Sequence, residues 1–143
     1  MNPKVHVEAI IQSPLPQLWS IVRDFNSLPS WHPAVIESVI ENGVQSVGCI
    51  RCYKRKDGLT LRERLVALDD AEHSLSYTLL DTPIPVSDYL ATLRLSAIRP
   101  MNTTHVEWRA WFDCAPDVEA ALRESITGVF RAGLDCLSRK EKP

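Results

Sequence analysis

The sequence has no excess of positive charge and no long apolar run. Its 143 residues include 16 Lys and Arg against 18 Asp and Glu, which gives a formal net charge of −2. Nucleic-acid binders concentrate basic residues on one face, and a membrane helix needs about 20 consecutive apolar residues. Lys4, His6 and Glu8 interrupt the apolar residues near the start, which is untypical of a signal peptide. We therefore expect no nucleic-acid partner, no membrane span and a cytoplasmic location.

Cysteine is scarce, and its spacing does not suggest a metal or redox centre. The chain has four cysteines, of which Cys49 and Cys52 form a C-x-x-C pair. This pair falls in an apparent strand, where residues three apart face opposite sides of the sheet. No second pair follows it, as a zinc site of this type would require. We expect no metal and no cofactor.

The spacing of apolar residues predicts the order of the secondary structure. Seven segments have the alternation or composition of strands, and one short amphipathic helix and a loop with a helical turn separate the first two. A helix of about 20 residues begins at Pro116 and carries an apolar stripe. The order β-α-α-β6-α predicts one α+β domain over residues 1–143, with a curved antiparallel sheet and its helices on one face. The strand segments are 4–11, 35–41, 47–54, 59–68, 73–81, 86–98 and 103–114.

Several inward-facing positions favour an internal cavity between the long helix and the sheet. Gly128 and Gly133 lie within the helix, where each costs about 1 kcal/mol relative to alanine. Glu63 lies on the apolar face of its strand, where an unpaired carboxylate would be costly. Water or a ligand would satisfy such groups. The alternative is that Glu63 pairs with a neighbouring arginine, that the aromatic residues fill the core, and that the glycines allow close packing. Three aromatic side chains with polar tips share the inward phase: Tyr77, Tyr89 and Trp108.

A resemblance to a known family covers nearly the whole chain. The stretches that carry it are 22–25, 31–33, 47–51, 62–65, 68–70, 76–78, 83–86 with Tyr89, and 133–137. On these residues the chain resembles the START-like (SRPBCC) superfamily of helix-grip proteins, and within it the polyketide cyclase/dehydrase-like branch. The resemblance implies a helix-grip fold, in which the sheet wraps around the long C-terminal helix. It also implies a cavity that opens near the turn 56–59 and the loop 84–86.

The same resemblance assigns candidate site residues. His32 stands where plant abscisic-acid receptors place a cavity lysine, and Glu63 and Tyr89 match receptor residues that hold the ligand. Trp108 replaces a polar cavity residue. The turn 56–59 lacks the receptors' Ser-Gly-Leu-Pro gate pattern, so the resemblance does not imply a gated hormone switch. The predicted ligand-binding residues are Trp31, His32, Cys52, Leu61, Glu63, Leu65, Tyr77, Ile84, Val86, Tyr89, Ala91, Trp108, Phe130 and Leu134.

Three functional hypotheses follow. The first is binding of a small, mostly apolar molecule of polyketide, lipid or isoprenoid type, by a monomer or weak dimer. The second is a cyclase or dehydrase in which His32 and Glu63 move protons and Tyr77 or Tyr89 polarises a carbonyl. The third is an interaction protein whose cavity is filled by its own side chains.

Overall fold

A curved seven-stranded antiparallel sheet and a long C-terminal helix form the fold. The computed structural model describes residues 2–140. The strand order across the sheet is β1-β7-β6-β5-β4-β3-β2, so that β1 and β2 form the two edges. This arrangement confirms the predicted helix-grip architecture and the predicted order of elements. The strands are β1 (Val5–Ile11), β2 (Val35–Ile40), β3 (Ile50–Arg55), β4 (Thr60–Asp69), β5 (Ser74–Leu80), β6 (Ser87–Ile98) and β7 (Thr103–Asp113), and the α-helices are α1 (Leu15–Val22), α2 (Leu28–Trp31) and α3 (Pro116–Lys140).

Local sequence explains where the chain turns. A short 3-10 turn at Glu41–Gly43 ends β2, and both Asn42 and Gly43 have positive φ there. Gly58, with φ of +92°, lies in the tight connection between β3 and β4. Asparagine and glycine adopt this left-handed conformation at little cost. These turn signals kept the predicted strand ends within a few residues of the observed ones.

Helix α3 packs its apolar stripe on the concave face of the sheet. It spans 25 residues, which is longer than predicted. Its residues Phe130, Leu134 and Leu137 are almost completely buried. The Phe130 ring stacks on Trp108 of β7 with 4.2 Å between ring centroids and 2° between planes. Within residues 2–140, no helix is both long and apolar enough to cross a membrane.

The two glycines of α3 have opposite surroundings, and neither marks an unfilled volume. A Cβ at Gly133 would lie 2.8 Å from His32 Cδ2 and 3.0 Å from Trp108 Cζ3. Gly128 is exposed, and a Cβ there would meet nothing within 4 Å. The interpretation of both glycines as signs of incomplete filling was therefore wrong. Gly133 instead allows close packing, which was the alternative explanation.

A bulge in β4 changes which residues face inward. The register with β5 shifts between Leu65 and Ala67. A bulge adds one residue to one strand, and every later side chain then changes face. Uninterrupted alternation would place Ala67 on the inward face with Leu65, but Ala67 is exposed and Leu68 is partly buried in its place.

Candidate functional site

A cavity of about 360 Å³ lies between the concave face of the sheet and helix α3. Its buried end includes Glu63 of β4, Tyr77 of β5 and Trp108 of β7, each at most 5% exposed. Its open end is bordered by exposed residues, among them Asp57, Pro85 and Ser125. The β3–β4 turn, the β5–β6 loop and α3 meet there. This is the end at which the family resemblance implies an opening.

A buried ion pair occupies the buried end of the cavity. Arg51 of β3 and Glu63 of β4 lie directly opposite each other in the sheet, and both are 5% exposed. Arg51 Nε and Nη2 donate to Glu63 Oε1 at 2.8 and 2.7 Å, and Nη1 donates to the Phe25 carbonyl at 2.9 Å. Burial is the largest single influence on the pKa of Arg51 and lowers it, but the Glu63 charge, the nearby phenols Tyr77 and Tyr53 and the hydrogen bond to Glu63 together raise the pKa above its usual value. The alternative that Glu63 pairs with a neighbouring arginine is confirmed.

Aromatic side chains enclose this ion pair. Tyr53 donates its hydroxyl to Glu63 Oε2 at 3.1 Å, so both carboxylate oxygens accept hydrogen bonds. The Arg51 guanidinium carbon lies 3.9 Å from the Phe25 ring centroid and 4.9 Å from that of Tyr77, within cation–π range. Burial, followed by the nearby Glu63 charge, raises the pKa of Tyr53 well above its usual value. The phenol therefore stays protonated as a donor to Glu63.

His32 is held by backbone groups on both ring nitrogens. The Ala34 N–H donates to Nδ1 at 3.1 Å, and Nε2 lies 2.8 Å from the Val129 carbonyl of α3. Since a carbonyl only accepts, the proton of the neutral ring belongs on Nε2. Burial lowers the pKa of His32, and its hydrogen bond to Val129 offsets only part of that effect. The imidazole thus joins the segment after α2 to the long helix as a neutral group.

Two further phenols line the cavity with unused hydrogen-bonding capacity. Trp108 Nε1 donates to the Tyr77 hydroxyl oxygen at 3.1 Å. Across the described part of the chain, the Tyr77 hydroxyl hydrogen has no acceptor and the Tyr89 hydroxyl has no hydrogen-bond partner. Tyr89 stacks on Phe112 with 6.0 Å between centroids. Burial raises the pKa of both phenols, so both remain protonated.

The structure brings eight of the fourteen predicted site residues to the cavity wall. Trp31, Leu65, Ala91 and Leu134 are buried in the core beside it, and Val86 is half-buried in the loop before β6. Cys52 was wrongly placed on the inner face: its neighbours Arg51 and Tyr53 point inward, so Cys52 faces outward with Val39 and Arg62 as its strand partners. That the eight contact a ligand stays a prediction. They are His32, Leu61, Glu63, Tyr77, Ile84, Tyr89, Trp108 and Phe130.

Sequence reasoning missed Arg51 and Tyr53. Both lie on the inner face of β3, where Ile50, Cys52 and Lys54 occupy the other phase. Because both phases of this strand mix polar and apolar residues, alternation could not identify its inner face. The available signal was the cross-strand position of Arg51 opposite Glu63, which requires the register of β3 on β4. Among the described residues, no group of three or more His, Cys, Asp or Glu side chains could hold a metal ion.

Comparisons with known proteins agree with this geometry. The family model described as polyketide cyclase / dehydrase and lipid transport matches residues 2–140. The abscisic acid receptor PYL7 of Arabidopsis thaliana is 34% identical over 86 residues, which are 58% of this chain and 40% of the receptor. The chain thus spans less than half the length of that relative.

Solved structures share the fold over nearly the whole chain. A solution NMR structure from Thermobifida fusca has a TM-score of 0.87 and 29% identity, and covers 96% of this chain and 91% of that one. A norcoclaurine synthase from Thalictrum, solved with a transition-state analogue, has a TM-score of 0.73 at 15% identity. That match covers 94% of this chain and 91% of the synthase, and at this identity it shows the fold alone.

Proposed function

From the premise that the chain belongs to the polyketide cyclase/dehydrase and lipid transport family, we propose that it binds one small, mostly apolar molecule in the cavity under helix α3. The observation that carries the proposal is the cavity itself, about 360 Å³ of space beside the stacked rings of Trp108 and Phe130. Binding sites for small molecules start at about 300 Å³ and combine apolar walls with a few polar groups. The hypothesis of a self-filled interaction protein is correspondingly weaker.

Charge supports binding of an apolar molecule. The Arg51 and Glu63 charges compensate each other, and Arg55 Nη2 lies 2.7 Å from Asp57 Oδ2 at the open end. The cavity therefore adds no net charge that would require an ionic ligand. Each Å² of apolar surface that binding removes from water contributes about 25 cal/mol to the free energy of binding.

Proton transfer by His32 and Glu63 fits the geometry less well than binding does. The His32 Nδ1 lone pair already accepts from Ala34, so it is not free to remove a substrate proton. Both Glu63 oxygens accept from Arg51 and Tyr53. A general base must reach its proton directly or through one water, and here a substrate would first have to displace a protein donor.

The test is a fluorescence titration with N-phenyl-1-naphthylamine, an uncharged apolar dye. The wild type should give saturable binding of one dye per chain, with fluorescence rising as the dye leaves water. Ser125→Trp should weaken binding by about tenfold or more, because Ser125 borders the open end and a bulky ring there obstructs entry.

The matched control is Glu124→Trp. Glu124 is the preceding exposed residue of the same helix and does not line the cavity. It should bind dye like the wild type. Equal, non-saturable fluorescence in all three proteins would contradict the proposal, as would the lack of any shift in melting temperature across a panel of small aromatic and lipid compounds.

A further inference from the structure

We propose that the occupant is uncharged and presents a carbonyl-type oxygen to the hydroxyl groups of Tyr77 and Tyr89. This inference rests on the proposed binding function and names the class of ligand that the same cavity selects. It rests on which polar atoms of the cavity already form hydrogen bonds or ion pairs with the protein and which do not.

The charged groups at the buried end are not available to a ligand acid. All three nitrogens of Arg51 donate to protein oxygens, two of them to the Glu63 carboxylate. A ligand carboxylate placed beside this pair would meet the Glu63 charge as well as that of Arg51. Burying a carboxylate without a free counter-charge costs several kcal/mol. The buried end therefore disfavours acids.

The remaining cations give no better site for an acid. His32 is neutral, and backbone groups occupy both of its nitrogens. Arg55 borders the cavity near its open end and pairs with Asp57, although its Nε has no partner among residues 2–139. An acid that bound Arg55 would compete with Asp57 for its charge.

Besides Arg55 Nε, the Tyr77 and Tyr89 hydroxyls are donors in the cavity wall that no protein acceptor engages. Tyr77 already accepts from Trp108 Nε1, so its remaining role is to donate. The Tyr89 hydroxyl has no hydrogen-bond partner among the described residues. A ligand oxygen would give these hydroxyls an acceptor, and one such hydrogen bond contributes about 0.5–1.5 kcal/mol. A ketone or similar oxygen accepts two hydrogen bonds and carries no charge.

Tyr77 and Tyr89 lie on adjacent strands and border the same cavity. Tyr77 of β5 is directly opposite Ala91 of β6, and Tyr89 is two residues from Ala91 on the same face of that strand. Diagonal neighbours of this kind on adjacent antiparallel strands are about 7–8 Å apart and within reach of aromatic side chains. Both phenols border the cavity.

The experiment compares three naphthalenes of similar shape: 2-acetylnaphthalene, 2-ethylnaphthalene and 2-naphthoate at neutral pH. Their affinities follow from displacement of N-phenyl-1-naphthylamine. The ketone should bind about tenfold or more tighter than the carboxylate. Tyr77→Phe and Tyr89→Phe should each weaken ketone binding by about three- to tenfold, the usual loss for one hydrogen bond, and leave hydrocarbon binding unchanged.

Ser76→Ala is the control variant. Ser76 adjoins Tyr77 on β5, and its hydroxyl pairs with Thr92 instead of lining the cavity. Its affinities should match the wild type for all three probes.

Two results would overturn the inference while the proposed binding function stands. One is carboxylate binding as tight as ketone binding, particularly if Arg55→Leu abolishes it. The other is a ketone affinity that neither phenylalanine variant changes. If the dye binds but none of the three probes displaces it, this inference fails alone; if neither the dye nor any probe binds, both proposals fail.

Discussion

Arg51 and Glu63 are two opposite charges enclosed side by side, and each removes the cost of burying the other. Their side chains are 7% and 6% exposed, against 53% and 63% for the surface pair Arg94 and Glu72. Desolvation of an ion in a protein interior costs several kcal/mol, which only a well-placed partner offsets. Loss of one partner leaves the other charge buried and unpaired.

We therefore predict that Arg51→Met lowers the free energy of unfolding by about 3–5 kcal/mol. Arg94→Met, the same change at the exposed pair, should lower it by less than about 1 kcal/mol. Urea denaturation of both variants measures this. The double variant Arg51→Met, Glu63→Leu should recover much of the loss, because an apolar pair leaves no buried charge. Equal effects of the two arginine variants would contradict this account of the ion pair.

His32 makes stability depend on pH in a known direction. Burial lowers its pKa in the folded protein below the ordinary value of 6.5. Well above pH 6.5 the imidazole is neutral in both the folded and the unfolded states, so the contribution of His32 to stability has its full value. As the pH falls, the unfolded chain binds a proton that the folded protein does not, so stability decreases until the lowered pKa is reached.

The corresponding variant is His32→Gln, which does not titrate and retains a donor for the Val129 carbonyl. Between about pH 7.5 and 5, its free energy of unfolding should fall less steeply than that of the wild type. Urea denaturation at several pH values gives both slopes. Identical slopes would show that His32 titrates alike in the folded and unfolded states.

At this scale the sequence predicted residue types better than residue roles. The inward phase of its strand marked Glu63, and the family resemblance marked His32. Their partners are backbone groups of Ala34 and Val129 in one case and Arg51 in the other. Contacts of this kind join distant segments, so they depend on register and helix placement instead of local pattern.

At the scale of elements, the two glycines of helix α3 separate the effect of close packing on stability from the effect of helix propensity. A Cβ at Gly133 would lie too close to His32 and Trp108 for these side chains to stay in place, whereas a Cβ at Gly128 would face open space. Replacing glycine by alanine in a helix stabilises it by about 1 kcal/mol when nothing obstructs the methyl group. Overpacking against a sheet costs about 1–3 kcal/mol.

The two alanine variants should therefore shift stability in opposite directions. Gly128→Ala should raise the free energy of unfolding by about 0.5–1 kcal/mol, and Gly133→Ala should lower it by about 1–3 kcal/mol. Thermal and urea denaturation measure both. A Gly133→Ala protein as stable as Gly128→Ala would mean that the contact of α3 with His32 and Trp108 is loose.

Most elements were predictable because period-two alternation and turn residues act locally. The phase of β5, with Leu75, Tyr77 and Leu79 inward, follows directly from that alternation. Two features were not predictable. Each face of strand β3 carries both polar and apolar residues, so alternation does not show which face is buried. The bulge near Leu65 arises from pairing with β5. Both depend on contacts between strands.

For the whole molecule, order and family resemblance together predicted the helix-grip fold. The cavity under α3 was harder to predict from the sequence. Of the signals used for it, the glycines were misleading, while the inward Tyr77 and Tyr89 proved to border the cavity. Empty space results from how far a curved sheet stands from a helix, and no single residue encodes that distance.

A crystal structure of the protein grown with 2-acetylnaphthalene tests the central claim most directly. We predict one ligand inside the cavity of about 360 Å³, beside the ring of Phe130, with its oxygen within hydrogen-bonding distance of a Tyr77 or Tyr89 hydroxyl. Side chains filling that volume, with the compound bound only on the surface or not at all, would contradict the account.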